Sequence, residues 1–171
     1  AQIANGGYKI SPKIIVNNKP LNFLEAKKNM ELRSSIDPNL QLIKDKKNLE
    51  IVQKAMFSST NEIRGTSYRS RIDDPKYQFA GKTGTAQVKR ISKRERELDL
   101  KIEQIPYNDR DHALYIAYGP YVNPRYAISI IVEHGGSGSK AAAPMAKELF
   151  KLIIDRDGLR EKQSNFEEID I

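Results

Sequence analysis

Apolar positions along this chain change spacing several times, and each change predicts an element. Leu49, Val52, Ala55 and Met56 recur every three or four residues between Lys46 and Ser58, the spacing of one helix face. That helix is expected to end near Ser58-Ser-Thr-Asn61, where short polar side chains compete for backbone hydrogen bonds. An extended run begins near Phe79 and continues to Val88. Two more follow, His112–Tyr118 and Tyr126–Glu133, both rich in β-branched and aromatic residues, with Gly119-Pro120 to Asn123-Pro124 as their turn. Helical spacing returns after Gly135-Gly-Ser-Gly138. Pro144 suits a first turn, Met145, Leu149, Leu152 and Ile153 supply an apolar face, and Gly158 predicts the stop. The order strand, strand, strand, helix gives an α+β fold class: an antiparallel sheet with a C-terminal helix packed on one face.

The rest of the chain is less patterned. Residues 8–19 read as two short extended pieces, broken at Ser11-Pro12 and turning at Asn17-Asn18, while residues 20–45 follow no period. Residues 90–110 are charged and are expected to form a surface loop or a short helix. The charged stretch after the last helix is expected to be a flexible tail, which divides the chain into a structured unit, 1–157, and a tail, 158–171. The longest apolar stretch, around Tyr126 to Val132, is too short to cross a bilayer. The opening Ala1-Gln-Ile-Ala-Asn-Gly-Gly7 lacks both the basic and the apolar region of a signal peptide, so the chain reads as cut from something longer.

Composition removes several kinds of chemistry. With 39% hydrophobic residues, 171 residues are enough for one ordinary domain. The absence of cysteine excludes thiol catalysis, disulfides and cysteine-ligated zinc. His112 and His134 have no ligand-like spacing, so neither a metal nor a cofactor is expected. His112 is expected to hold a neighbouring strand by a hydrogen bond, and His134 to sit at a strand end. A net charge of +7 favours an anionic partner. However, basic and acidic residues alternate, as in Lys93-Arg-Glu-Arg-Glu-Leu-Asp-Leu-Lys101, and no basic stripe with interleaved aromatics appears, so no nucleic-acid partner is expected. Tyr115, Tyr118, Tyr121 and Tyr126 fit sheet packing, and the pairs Asp73-Asp74 and Glu167-Glu168 fit solvated surface.

Gly81-Lys82-Thr83 is the tripeptide that carries chemical information. It also ends the nucleotide-binding P-loop, but that loop needs a glycine five residues before Gly81, where Lys76 stands, and must open a helix rather than a strand. Lys-Thr-Gly on a strand is instead one of three signatures shared by penicillin-binding proteins and serine β-lactamases, beside Ser-x-x-Lys and Ser-x-Asn. Taken in order, Ala80-Gly-Lys-Thr-Gly-Thr-Ala-Gln87, Asp111-His-Ala113, Tyr118-Gly-Pro120, Asn123-Pro-Arg125 and Glu133-His-Gly-Gly136 resemble the end of class B penicillin-binding proteins, in particular the cell-elongation transpeptidases. Ala4-Asn-Gly-Gly7, Pro12 and Gly65-Thr66 share the resemblance, which runs from residue 1 to about Ile154.

The resemblance implies a partial penicillin-binding/β-lactamase-like fold, with residues 1–157 as the C-terminal part of a transpeptidase domain. It implies a stem peptide ending in D-Ala-D-Ala as substrate, bound along the strand edge as an added strand. Lys82 would attract the terminal carboxylate, Thr83 and Thr85 would donate hydrogen bonds to it, and Gly84 would let the ligand lie close. The backbone N–H of Thr85 would form half of an oxyanion hole, a donor worth about 3–4 kcal/mol in a transition state. β-Lactams would inhibit by mimicking the donor peptide. A glycosyltransferase of the elongation machinery would be a partner, and the periplasmic face of the bacterial inner membrane the location.

The nucleophile itself is expected to be absent. Ser137-Gly-Ser-Lys140 matches Ser-x-x-Lys, but it follows Lys-Thr-Gly, whereas the family order places the nucleophile first. Ser59-Thr-Asn61 matches Ser-x-Asn but lies downstream of Ala4-Asn-Gly-Gly7, which in the family follows that motif. Such a piece would be inactive alone. In the family fold a strand from the front of the domain covers the edge of the Tyr126–Glu133 strand, so self-association through that edge is a further expectation. Two other functions fit some of the residues: a β-lactamase or D,D-carboxypeptidase fragment, and a non-enzymatic basic binding module whose binding would weaken steeply with salt.

Overall fold

The computed structural model describes residues 1–9, 40–89 and 100–167, with backbone only from Leu159 onward. Helix α1 spans Lys46–Asn61. Asp45 caps it, its carboxylate accepting the N–H groups of Lys47 at 2.9 Å and Asn48 at 3.2 Å, which satisfies donors that the first turn leaves free. The end at Asn61 falls where the cluster of short polar side chains predicts it. Strands β1 (Ala80–Ala86), β2 (His112–Gly119) and β3 (Tyr126–Val132) form an antiparallel sheet in the order β1-β2-β3. Among the described residues, β1 and β3 therefore each keep one unpaired edge. A π-helical turn, Gly138–Ala142, leads into helix α2, Ala143–Glu167.

The register sorts the sheet into two unlike faces. Thr83, Tyr115 and Ile130 are opposite one another, as are Gly81, Ala117 and Ile128, and alternation places them together on one face. There Ala113, Tyr115 and Ala117 pack with Ala143, Ala146, Phe150 and Ile154 of α2, and Phe79 stacks on Phe150 at 4.8 Å. The other face carries Lys82, Ile116 and Ser129 in one row and Gly84, Leu114 and Ile131 in the next. It is partly covered at one end, where Met56 of α1 meets Ala80 and Tyr118. Farther along, Ile116 is 48% exposed and Ile131 63% exposed.

Two sequence expectations for the helices require correction. Met145, Leu149 and Leu152 do not face the sheet; they are exposed, and Ala143, Ala146, Phe150 and Ile154 make the contact. Helix α2 has two apolar stripes, and the one rich in alanine docks because small side chains let the helix lie close to the strands. Nor does α2 stop at Gly158, since its backbone continues to Glu167. A lone glycine costs a helix only about 1 kcal/mol, and good helix formers from Leu159 to Gln163 follow it with no proline. On α1, Leu49 and Met56 are buried as expected, whereas Val52 and Ala55 are open to solvent.

Elsewhere, residues 100–110 form two single 3₁₀ turns, Ile102–Gln104 and Tyr107–Asp109, while residues 90–99 lie outside the described part. Tyr8 bridges to Gln41, and the extended pieces expected over 10–19 also lie outside it. No described helix is long and apolar enough to cross a membrane.

Candidate substrate-binding site

Lys82, Thr83, Gly84 and Thr85 lie in the middle of edge strand β1, where, among the described residues, no strand pairs with the side away from β2. Lys82 and Thr85 are exposed and Thr83 is half-buried. Alternation sends Lys82 to one face and Thr83 and Thr85 to the other, yet the Lys82 side chain bends back around the edge. Its ammonium donates to the Thr83 carbonyl at 2.8 Å and, more weakly, to Thr83 Oγ1 at 3.4 Å. Cation and hydroxyl are thereby gathered at one point on the strand edge. Lys82 also borders an open groove of about 560 Å³ lined by Ile51, Val52, Ala55, Met56 and Ile116.

Two glycines permit close approaches around this strand. The phenol of Tyr115 crosses beneath Gly81, where a Cβ would lie 2.2 Å from its hydroxyl. It ends between Thr60 at 2.9 Å and Ser67 at 3.0 Å. Burial raises the Tyr115 pKa above its usual value, opposed by the Ser67 and Thr60 hydrogen bonds, so the phenol stays protonated as a neutral tie between sheet and helix. Gly138 packs against the backbones of β1 and β2: a Cβ there would lie 2.4 Å from the Leu114 carbonyl oxygen and 2.8 Å from that of Gly84. Asn61 fixes the start of the strand, its amide donating to Phe57 O at 3.0 Å and Phe79 O at 2.9 Å.

Ser59 turns out to adjoin the Lys82 cluster. Its Oγ lies 3.1 Å from Thr66 Oγ1, which lies 3.3 Å from Thr83 Oγ1. Sequence order removes Ser59-Thr-Asn61 from the role of second signature, and the structure gives these residues another, as the helix end that supports β1. Only the link through Thr66, itself 17 residues before Thr83 and invisible to any local pattern, shows this for Ser59. Ser137 pairs with Ser139 at 3.0 Å, and it lines a separate hollow of about 930 Å³ together with exposed Lys140. His112 accepts the His134 N–H at its Nδ1 at 2.9 Å, tying the start of β2 to the turn after β3 as the sequence suggests. His134 adopts φ of 55° in that turn, and its Nδ1 donates to Arg110 O at 3.0 Å, since a carbonyl only accepts.

The family model for the penicillin binding protein transpeptidase domain matches residues 1–151. The chain belongs to the penicillin-binding protein transpeptidase family. Over 105 residues, 61% of the chain, it is 37% identical to the peptidoglycan D,D-transpeptidase MrdA of Salmonella typhimurium, but it spans only 16% of that relative's length. Two solved penicillin-binding structures share the fold. The Helicobacter pylori protein PBP2, in a complex with MreC, matches 88% of this chain and 23% of its own at a TM-score of 0.56 and 30% identity. The Pseudomonas aeruginosa PBP2, in complex with WCK 5153, matches 88% of this chain and 28% of its own at a TM-score of 0.57 and 26% identity. The partial transpeptidase fold and the family resemblance of the chain are thus both borne out.

Proposed function

We propose that this chain is the substrate-clamping C-terminal part of a peptidoglycan D,D-transpeptidase of the cell-elongation type. The observation that carries the reading is the Lys82–Thr85 segment on an open strand edge, with the Lys82 ammonium gathered to Thr83, in a chain of this family. A D-Ala-D-Ala peptide would lie along that edge with its carboxylate at Lys82, Thr83 and Thr85. The Thr85 N–H would then face the carbonyl of the penultimate residue. A serine outside these 171 residues would attack that carbonyl, expel terminal D-alanine as its amine takes up a proton, and hold the rest as an ester. An amine from a neighbouring stem peptide would displace the serine, and β-lactams would trap it. Enzymes of this kind work on the periplasmic face of the inner membrane. The PBP2 solved in complex with MreC supports a partner of that kind for the intact protein, and a glycosyltransferase of the elongation machinery would be a further one.

Fluorescent penicillin tests the proposal. The intact protein should be labelled, Lys82→Ala should slow labelling roughly 10- to 100-fold, the range for hydrogen bonds to charged groups, and the isolated 171-residue chain should form no covalent adduct. A stable adduct on the isolated chain, mapping to Ser137 or Ser59, would overturn it.

A further inference from the structure

Beneath the proposed clamp two hydroxyl chains meet at one residue. In the lower chain, Ser67 Oγ donates its single proton to Ser59 O at 3.0 Å. Tyr115 therefore donates to Ser67, and Thr60 has one proton to offer to Tyr115 Oη at 2.9 Å, Ser67 Oγ at 3.3 Å or Met56 O at 3.4 Å. Every hydroxyl in that chain has a partner, and the group is buried. It acts as a rigid base that fixes the Ser59 backbone. The upper chain rises from the same residue: Ser59 Oγ, Thr66 Oγ1 and Thr83 Oγ1 follow at 3.1 and 3.3 Å, and the Lys82 ammonium closes it at 3.4 Å.

Among the described residues, nothing fixes proton direction in the upper chain except its last member. Thr83 Oγ1 accepts from Lys82, so it can also accept from Thr66 and keep its own proton for a ligand. A carboxylate only accepts, and it would select the order Ser59 to Thr66 to Thr83 to ligand. In that order each bond polarises the next.

We propose that Ser59 and Thr66 are positioning residues, which with Thr83 form a three-hydroxyl donor relay that recognises a carboxylate at the edge of β1. The inference rests on the clamp function proposed above. The relay explains why Ser59, on the last turn of α1, and Thr66, in the following turn, lie against a strand 17 residues farther along.

The test compares acylation of the intact protein by a penicillin and by its methyl ester, which lacks the anion. Thr66→Val should slow the second-order acylation rate of the free acid about tenfold, the modest end for a charge-assisted bond. It should leave the ester rate within twofold, and Thr66→Ser should restore the acid rate. Ser59→Ala should give a smaller loss of the same selectivity, and it takes over as the deciding variant if Thr66→Val does not melt cooperatively. Equal slowing of acid and ester, or no slowing, would overturn the relay. Lys82→Ala separates the two claims. If it discriminates acid from ester while the relay variants do not, only the relay falls. If it too fails to discriminate, the clamp falls with it.

Discussion

Gly81 is where the geometry makes its sharpest demand on stability. A Cβ at residue 81 would sit 2.2, 2.5 and 2.7 Å from Oη, Cζ and Cε1 of Tyr115, all inside the 3.0 Å that real Cβ contacts respect. The ring is fully buried and cannot swing out, so Gly81→Ala would push the phenol back by most of an ångström. Overpacking of this kind costs roughly 1–3 kcal/mol. The same shift stretches the hydroxyl away from Thr60 and Ser67, adding about 1 kcal/mol or more. The expected loss is about 3 kcal/mol. Equilibrium urea unfolding followed by tyrosine fluorescence would register it as a midpoint shift of roughly 1.5 M, at a slope of about 2 kcal/mol per M. Tyr115→Phe removes the nearest atom but leaves Cζ and Cε1, so Gly81→Ala should cost about 1–2 kcal/mol less in that background. A cost below about 0.5 kcal/mol in the wild type, or an identical cost in both backgrounds, would show that the phenol does not cross beneath β1.

Two further glycines should respond in opposite directions in the same assay. Gly138→Ala places a methyl against the backbone oxygens of Leu114 and Gly84, which have little room to move, and should destabilise by about 2–3 kcal/mol. Gly158→Ala, within α2 and with nothing among the described residues within 4 Å, should stabilise by roughly 0.5–1 kcal/mol. At alkaline pH the tyrosines should govern stability. Burial raises the pKa of both Tyr115 and Tyr118, so their stabilising effect is complete below the unfolded value of about 10 and is lost as pH rises toward the folded values. The slope is at most about 1.4 kcal/mol per pH unit for each tyrosine. Tyr118 Oη is buried without a hydrogen-bond partner among the described residues, so Tyr118→Phe should be neutral or slightly stabilising at pH 7 and should flatten that alkaline decline. Unfolding midpoints measured from pH 8 to 11 would show both effects.

The parts of this fold legible in sequence are those where a local rule has one solution. Alternation and β-branched composition locate β2 and β3, and the polar cluster ending in Asn61 marks the end of α1. Lys82-Thr-Gly84 marks the edge strand because its chemistry is compressed into a few contiguous residues. What sequence leaves out depends on partners far along the chain. Helix α2 carries two apolar stripes, and periodicity alone favours the bulkier one; the alanine stripe wins because close approach to the sheet requires small side chains. Gly158 reads as a stop from its conformational cost, which the flanking helix formers outweigh. Ser59 and Thr66 carry no local signal for their contacts, since Thr83 lies 24 and 17 residues away and comes near only when β1 passes the end of α1.

Lys82 by itself explains little of the proposed recognition, because an ammonium in open water attracts a carboxylate weakly. At 4 Å the interaction is about 1 kcal/mol in bulk water and about 4 kcal/mol at an effective dielectric of 20. Its surroundings decide which value applies. Ile116 on the same sheet face, with Ile51 and Val52 on the facing side of α1, forms an apolar groove with Lys82 at its border, and Ile51 is 64% exposed. Exposed apolar surface of this kind, bordered here by Lys82 and Arg64, marks a contact site. On the proposed function, the rest of the transpeptidase domain supplies that cover. Covering the groove and strengthening the clamp are then one event: the packing that removes Ile116 and Val52 from water also removes the solvent that screens Lys82. On that proposal, specificity for an anionic peptide end would arise as much from the isoleucines and valine around Lys82 as from the charge they border.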